Sequence, residues 1–478
     1  MRPVTLDHHL ELLGRVYGGK KWILAVDVLA AATQTVHALR ELGATSCLCV
    51  AGSRGTGPVP DTAFSPDPIV LGVEAPDMMS GVRLSLQALA ALPGDAVARV
   101  DAFDPERQAR VLGTIFDDGR DVGGRRKFGA RPEPWQRLED KTVIDTFWRA
   151  AGVSHAPARV VPARLSELEA AAAELDRGEG TVWSGDNREG FNGGASYVRW
   201  VRTAAQAEQA SEFFGAHCHR VRVMPFLEGI PCSIHGVVFD DYVLALRPCE
   251  MVVLRKPGES TLHYARAASF WDPPAVDRDA MRAVARRTGE HLRASVGYRG
   301  AFTIDGVLSR DGFLPTELNP RVGAALYIMT AGLPLSIPLF NAAVVEGVRA
   351  DFRARELEGA LLAHVDAHRA GGGMAVVPRA PSEGQAASLG WRGDHFEVVP
   401  DGCEPDAVAR YGPSPAGGFV MVDLVAERTP IGPSAAPRVA AALACLNAHW
   451  QLGLGPLEPA RDVRGEPPSA RGRSRATP

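Results

Sequence analysis

The sequence has little cysteine: seven in 478 residues, an odd number with no C-x-x-C pair. That argues against a disulfide framework. Cys47 and Cys49 alternate within an apolar run and read as small buried residues. A reducing, cytoplasmic setting is expected. Long hydrophobic runs are also missing. Ile23 to Ala32 is apolar but short and interrupted by Asp27, well under the roughly 18 residues that a spanning helix needs. The opening MRPVTLDHHLELL lacks the apolar centre of a signal peptide, so no membrane partner is expected. Charge of one sign is lacking as well. With 52 Lys and Arg against 56 Asp and Glu, the formal net charge is −4, which gives no argument for a nucleic-acid partner. No Ser/His/Asp signature, reactive cysteine or internal repeat is visible. What remains, 46% hydrophobic and 23% charged, suits a globular chain with ample core and a length of about three domains.

The most informative stretch is Tyr298 to Arg321, YRGAFTIDGVLSRDGFLPTELNPR. It reads as two strands joined by a turn at Ser309–Arg310–Asp311–Gly312, where Gly312 can take a positive φ. A three-residue loop, Arg310 to Gly312, closed by a glycine bulge, sets Ser309 opposite Phe313, Val307 opposite Pro315, Asp305 opposite Glu317 and Thr303 opposite Asn319. Alternation then places Thr303, Asp305, Val307, Pro315, Glu317 and Asn319 on one face. Phe302, Ile304, Leu308, Leu314 and Leu318 form the core face. Two carboxylates facing each other across strands repel. A hard cation between them removes the repulsion, and oxygen ligands of this kind suit Mg²⁺ or Mn²⁺.

With Glu317–Leu318–Asn319–Pro320–Arg321 closing it, this hairpin resembles the metal-binding hairpin of the ATP-grasp superfamily. Those ligases join a carboxylic acid to an amine or thiol through an acyl phosphate. The resemblance implies ATP and Mg²⁺ (or Mn²⁺) as cofactors, with the metal on Asp305, Glu317 and Asn319 and Arg321 as a catalytic cation. It covers roughly residues 138 to 345.

Taken in order, residues 1–135 read as an open α/β unit: a strand at Trp22–Val26, a helix at Thr33–Leu42, a second strand at Thr45–Ala51, hence a parallel βαβ. The loop Gly52–Pro58 matches neither a dinucleotide fingerprint nor a P-loop and reads as a connection. Position matches this unit to the α/β domain that precedes an ATP-grasp core. Asp117 to Arg137, rich in Gly, Arg and Pro, reads as a linker. A helix is expected over Asp140–Ala151, and by the resemblance Lys141 contacts ATP phosphates.

The ATP-grasp domain is expected over 136–345, with its lid at about 153–222. In the lid, Gly193, Gly194, Ala195 and Ser196 are the expected phosphate-touching segment. Most ATP-grasp lids carry a second lysine at the end of the first lid strand; this chain has Trp183–Ser184 there. Arg188 is the candidate replacement. By the same resemblance, Phe226 and Leu227 supply backbone contacts to adenine and Glu228 a carboxylate to ribose. Residues Arg255 to Arg266 read as a basic loop. A small C-terminal α/β domain is expected over 346–455, and a disordered tail over 456–478. His364 and His368, four apart with no third ligand, read as two exposed histidines.

The expected fold class is therefore α/β (α+β): a pre-ATP-grasp domain, a catalytic core with lid, and a small C-terminal domain. The expected activity is ATP-dependent, ADP-forming amide synthesis from a small-molecule acid and an amine or peptide. Trp183 to Gly190 and the extra C-terminal domain are similar to pheganomycin-type peptide ligases of natural-product biosynthesis. A homodimer is expected by the same resemblance. Two alternatives stand: an ATP-grasp ligase of carboxylase or purine-pathway type, and a nucleotide-binding regulator that does not turn over.

Overall fold

The computed structural model describes residues 6–114, 116, 119–400 and 402–464. The N-terminal sheet is parallel and four-stranded, in the order β3-β2-β1-β4: β1 Lys21–Val28, β2 Ser46–Ser53, β3 Ile69–Val70 and β4 Arg110–Leu112. The helix Thr33–Glu41 joins β1 to β2, as the βαβ reading requires. Cys47 and Cys49 on β2 are buried free thiols.

The stretch expected to be a linker is instead packed. Arg125, 3% exposed, donates its Nε to Asp104 at 3.0 Å, and Arg131 is ion-paired with buried Glu139. Glycine and proline there shape turns around buried ion pairs, which composition cannot reveal.

The lid is an antiparallel sheet in the order β5-β8-β6-β7: β5 Arg159–Pro162, β6 Thr181–Gly185, β7 Val198–Val201 and β8 Arg220–Pro225. Helices Leu165–Leu175 and Ala204–His217 back it around Trp183 and Phe214. The central sheet runs β12-β11-β9-β13-β14, with β10 beside β9: β9 Gly229–Val238, β10 Val243–Ala245, β11 Cys249–Arg255, β12 Leu262–Ala268, β13 Gly300–Ser309 and β14 Gly312–Asn319. Strand β12 lies where a basic loop was expected. Its arginine and histidine hide an alternation that the antiparallel partner β11 stabilises. The helix Ala275–Val296 covers the back of this sheet.

The hairpin β13–β14 keeps the expected facing of Asp305 with Glu317 and of Thr303 with Asn319, but by a different route. Ser309 pairs with Gly312, so the turn is the two residues Arg310 and Asp311. The irregularity falls between Asp305 and Gly306, where Gly306 pairs with Pro315 and Thr316 is the extra residue. A bulge advances the side-chain phase by one residue. Phe313 therefore takes the core position expected for Leu314, and Thr316 rather than Pro315 reaches the cavity face. A side chain on Gly306 would strike the Leu314 carbonyl at 2.4 Å, so the bulge needs glycine.

The C-terminal sheet is antiparallel, in the order β15-β19-β18-β16-β17: β15 Gly372–Val377, β16 Gln385–Trp391, β17 Phe396–Val399, β18 Ala407–Ser414 and β19 Gly417–Leu424. Its core is continuous with β11 and β12 through Val252, Leu254, Ala265 and Ala268. The tail expected to be disordered from 456 is ordered through Arg464. Glu458 pairs with Arg255, Val463 is buried, and Arg464 bonds Asp277 at 2.6 and 2.9 Å. The remainder of that expected tail, 465–478, lies outside the described residues.

Candidate functional site

A cavity of about 400 Å³ opens between the lid and the face of the central sheet. Three adjacent strands present a grid of polar side chains to it: Ser233 and His235 from β9, Thr303 and Asp305 from β13, Glu317 and Asn319 from β14. The period of two along each strand and the antiparallel register align them in rows. Asp305 accepts hydrogen bonds from Ser233 Oγ at 2.5 Å and from Asn319 Nδ2 at 2.9 Å. Burial, and next the Glu317 charge opposite, push its carboxyl up to about 7; the Ser233 hydrogen bond and the Arg321 and Lys141 charges oppose this. Two carboxylates facing each other raise one another's affinity for a proton or a cation. Among the described residues no cluster of three His, Cys, Asp or Glu side chains could hold a metal. The donor set here is two carboxylates and an amide, which suits a hard cation that keeps room for phosphate oxygens.

Lys141 stands in the cavity wall, 7% exposed, with Nζ 3.0 Å from Glu317 Oε1. It does not begin a helix. Residues 141–143 form a turn, held by Thr142 donating to the Asp140 carboxylate, and the helix starts at Ile144. Arg321 also lines the cavity. Its Nη2 donates to Asn319 Oδ1 at 2.9 Å and its Nε to Glu139 at 3.3 Å. Burial alone would raise the Glu139 carboxyl, but Arg131 and Arg321 outweigh it and hold it below the usual carboxylate range. The Arg321 guanidinium faces the rings of Phe116 and of Phe191 from the lid, at 5.3 and 5.1 Å.

Gly193, Gly194, Ala195 and Ser196 line the lid side of the cavity. Gly194 and Ala195 both hold left-handed backbones, φ +58° and +64°. For alanine that costs roughly 1–2 kcal/mol, strain of the kind that collects at ligand sites. Gly323 allows the chain after Arg321 to approach β13; a side chain there would strike Thr303 Oγ1 at 2.3 Å.

Two expected residues stand elsewhere. Arg188 is exposed, and its Nη1 reaches the Ala216 carbonyl at 3.4 Å, on the outside of the lid. The loop turns there because Asp186 accepts from the Arg188 amide and from the His219 and Arg220 amides, aiming residue 188 outward. Glu228 is beside the cavity rather than in its wall. It is ion-paired with Arg255, and Arg461 donates its amide to it at 3.3 Å. Phe226 and Leu227 do line the cavity, but the Phe226 N–H is already donated to Gly180 at 3.0 Å. Its ring stacks on Trp200 at 4.1 Å.

Three residues escaped the sequence reading. Ser233 is bonded to Asp305, as above. His235 is fully buried, with Nδ1 2.8 Å from Thr303 Oγ1 and Nε2 without a partner. Burial pushes its imidazole down to about 3, so it is neutral at pH 7. Alternation along β9 would have placed both on the Asp305 face. Arg222, 1% exposed, lines the cavity from β8 opposite Ser184; only the lid register reveals it.

No protein-family model matches the sequence, and no curated protein matches it. Solved structures do. The biotin carboxylase of Campylobacter jejuni, in a β-γ-ATP complex, shares 14% identity over 94% of this chain and 94% of its own, with a TM-score of 0.55. The biotin carboxylase domain of Hydrogenobacter thermophilus 2-oxoglutarate carboxylase, with MgADP, ADP and bicarbonate, shares 12% over 93% of this chain and 92% of its own, with a TM-score of 0.51. Rhizobium etli pyruvate carboxylase shares 14% over 91% of this chain and 37% of its own, with a TM-score of 0.51. None of these three is a pheganomycin-type peptide ligase. At such identities the likeness is one of fold, and over most of its length the chain has the ATP-grasp fold.

Proposed function

We propose that the chain is an ATP-dependent, ADP-forming ligase that joins a carboxylic acid to the amine of an amino acid or peptide. The observation that carries this is the meeting of Asp305 and Glu317 across β13–β14 on the wall of a cavity that also holds Lys141, Arg321 and the Gly193–Ser196 segment. In the first step a substrate carboxylate oxygen attacks the γ-phosphorus of ATP. The P–O bond to the β-phosphate breaks, and ADP leaves with that electron pair. In the second step the amine nitrogen attacks the acyl carbon, inorganic phosphate leaves, and the nitrogen gives up a proton. Such transfers need positioning and charge neutralisation more than covalent help.

Asp305, Glu317 and Asn319 would hold Mg²⁺, whose chemistry here is neutralisation of phosphate charge. Asn319 gives Nδ2 to Asp305 and Oδ1 to Arg321, so ligation through Oδ1 requires Arg321 to share that oxygen. Lys141 exchanges Glu317 for a phosphate oxygen. Arg321 turns its guanidinium toward the carboxylate being activated, a task that its planar fork suits. Gly193 to Ser196 cover the phosphates and exclude water. Phe226 and Leu227 flank the base, with the Phe226 carbonyl and the Leu227 amide as its polar contacts.

A second reading takes bicarbonate as the acid. It is supported by the like fold of a carboxylase domain solved with MgADP and bicarbonate. ADP release measured over pools of acids and amines, with and without bicarbonate and with mass detection of product, tests both. ADP formed only with an acid and an amine together, plus an amide product, is expected. ADP that follows bicarbonate supports the second reading. ATP binding with no ADP under any pool overturns both in favour of a regulator.

A further inference from the structure

We infer that Arg222 is the cation that binds the nucleotide's phosphates from the lid, in place of a lysine on β6; the inference rests on the nucleotide reading above. Near its end strand β6 carries Ser184, followed by Gly185, and neither has a charge to offer. In the antiparallel register Ser184 lies opposite Arg222 on β8, and Val182 opposite Met224. All four line the cavity. The positive charge of the lid therefore sits one strand over, on the same face and in the same row.

The guanidinium is held on one side by a carboxylate, and its residue lines the cavity. Its Nε and Nη2 form a fork on Asp145 at 2.8 and 2.7 Å. Asp145 belongs to the helix Ile144–Ala150 that follows Lys141, so one short segment supplies a cation to the cavity and positions a second. The Nη1 corner is different. Its partner is the Met224 sulfur at 2.8 Å, and a thioether is a weak acceptor for a charged donor. A group 1% exposed with a poorly matched corner in a cavity wall suits an anionic oxygen, and Arg is well shaped for phosphate.

Stability alone does not account for the arrangement. Taking two ions out of water costs several kcal/mol each, and apolar replacements of a buried ion pair are often neutral or stabilising. A pair kept only for the fold would not need to line a cavity with one corner resting on a thioether. Asp145 instead fixes the plane of the guanidinium, so that little side-chain freedom remains to be lost when a phosphate arrives.

The test compares binding of ATP and of adenosine by calorimetry in the full-length chain. Arg222→Met should weaken ATP roughly ten- to a hundredfold and change adenosine less than about twofold. The paired variant Arg222→Met/Asp145→Leu removes the orphaned carboxylate and guards against misfolding. It should show the same selective loss. Adding Ser184→Lys to that pair should recover most of the ATP affinity, because it returns the charge to the neighbouring strand. Equal ATP affinity in wild type and the paired variant, or parallel loss of ATP and adenosine, overturns the assignment of Arg222 alone. A wild-type chain that binds no ATP overturns the nucleotide reading itself.

Discussion

The central sheet and the lid meet at one cavity, but they carry their charged groups differently. In the central sheet the groups stand where local sequence puts them: two carboxylates opposite each other in a hairpin, with an amide two pairs along on the same face. In the lid the charge belongs to a residue about forty positions from the strand end it serves, and reaches it only through the β6–β8 pairing. A hairpin fixes register by its turn. A lid sheet closed by a long connection leaves register to tertiary packing. Chemistry in the first kind of element is therefore tied to spacing, whereas in the second it can migrate between neighbouring strands.

This contrast can be broken at several points. The largest effect is expected in the central sheet. Glu317→Gln should lower ADP release at least roughly a hundred- to a thousandfold with only a small change in melting temperature, since Glu317 is on the cavity face and partly exposed. The amide is a cleaner choice than alanine because Lys141 pairs with Glu317 at 3.0 Å and keeps a partner. Equal loss of stability and turnover would count against the site. Next, Lys141→Met should raise the KM for ATP about ten- to a hundredfold while altering melting by a few degrees at most; an unchanged KM would remove Lys141 from the phosphate site.

A pH effect of middle size is expected where the central sheet meets the C-terminal helix Ala436–Trp450. Glu250, on β11, accepts from Ser434 Oγ at 2.5 Å and from the Ala435 amide at 2.7 Å. Burial pushes its carboxyl up to about 7, against the opposing Ser434 and backbone hydrogen bonds. A folded value above the unfolded one means the stabilising contribution is complete below the unfolded value, about 4.5, and is lost as pH rises through about 7. Between pH 5 and pH 8 the wild type should therefore lose stability relative to Glu250→Gln, by a few kcal/mol at most. Melting curves of the two proteins that stay parallel across that range would contradict this. The smallest effect sharpens the lid side: Arg188→Ala should change ATP use less than about twofold, as an exposed loop side chain does, whereas a loss comparable to that expected for Arg222→Met would reverse their roles.

The fold and half of the site were legible in the sequence for a physical reason. Asp305, Glu317 and Asn319 share a hairpin, so alternation and a turn signal suffice to face them. The expected turn was one residue too long and its bulge was misplaced. The two errors cancel at Glu317, after Thr316, and reappear at Leu314 and Phe313, before it. The resemblance pointed to Lys141, and the glycine-bearing lid loop to Gly193–Ser196; all of them line the cavity. Arg188 was chosen because it is near Ser184 in the chain, but Asp186 turns that loop outward. Arg222 was invisible because nothing local shows which strand lies beside β6. Arg125 and Arg131 show the same limit: in a Gly- and Pro-rich stretch they read as solvated, yet Asp104 and Glu139 bury them.

The most direct measurement is a crystal structure of the chain with MgADP. The metal should lie about 2.0–2.1 Å from oxygens of both Asp305 and Glu317, with the diphosphate between Lys141 and the Gly193–Ser196 segment. A nucleotide bound elsewhere, or a metal held without either carboxylate, would contradict the account.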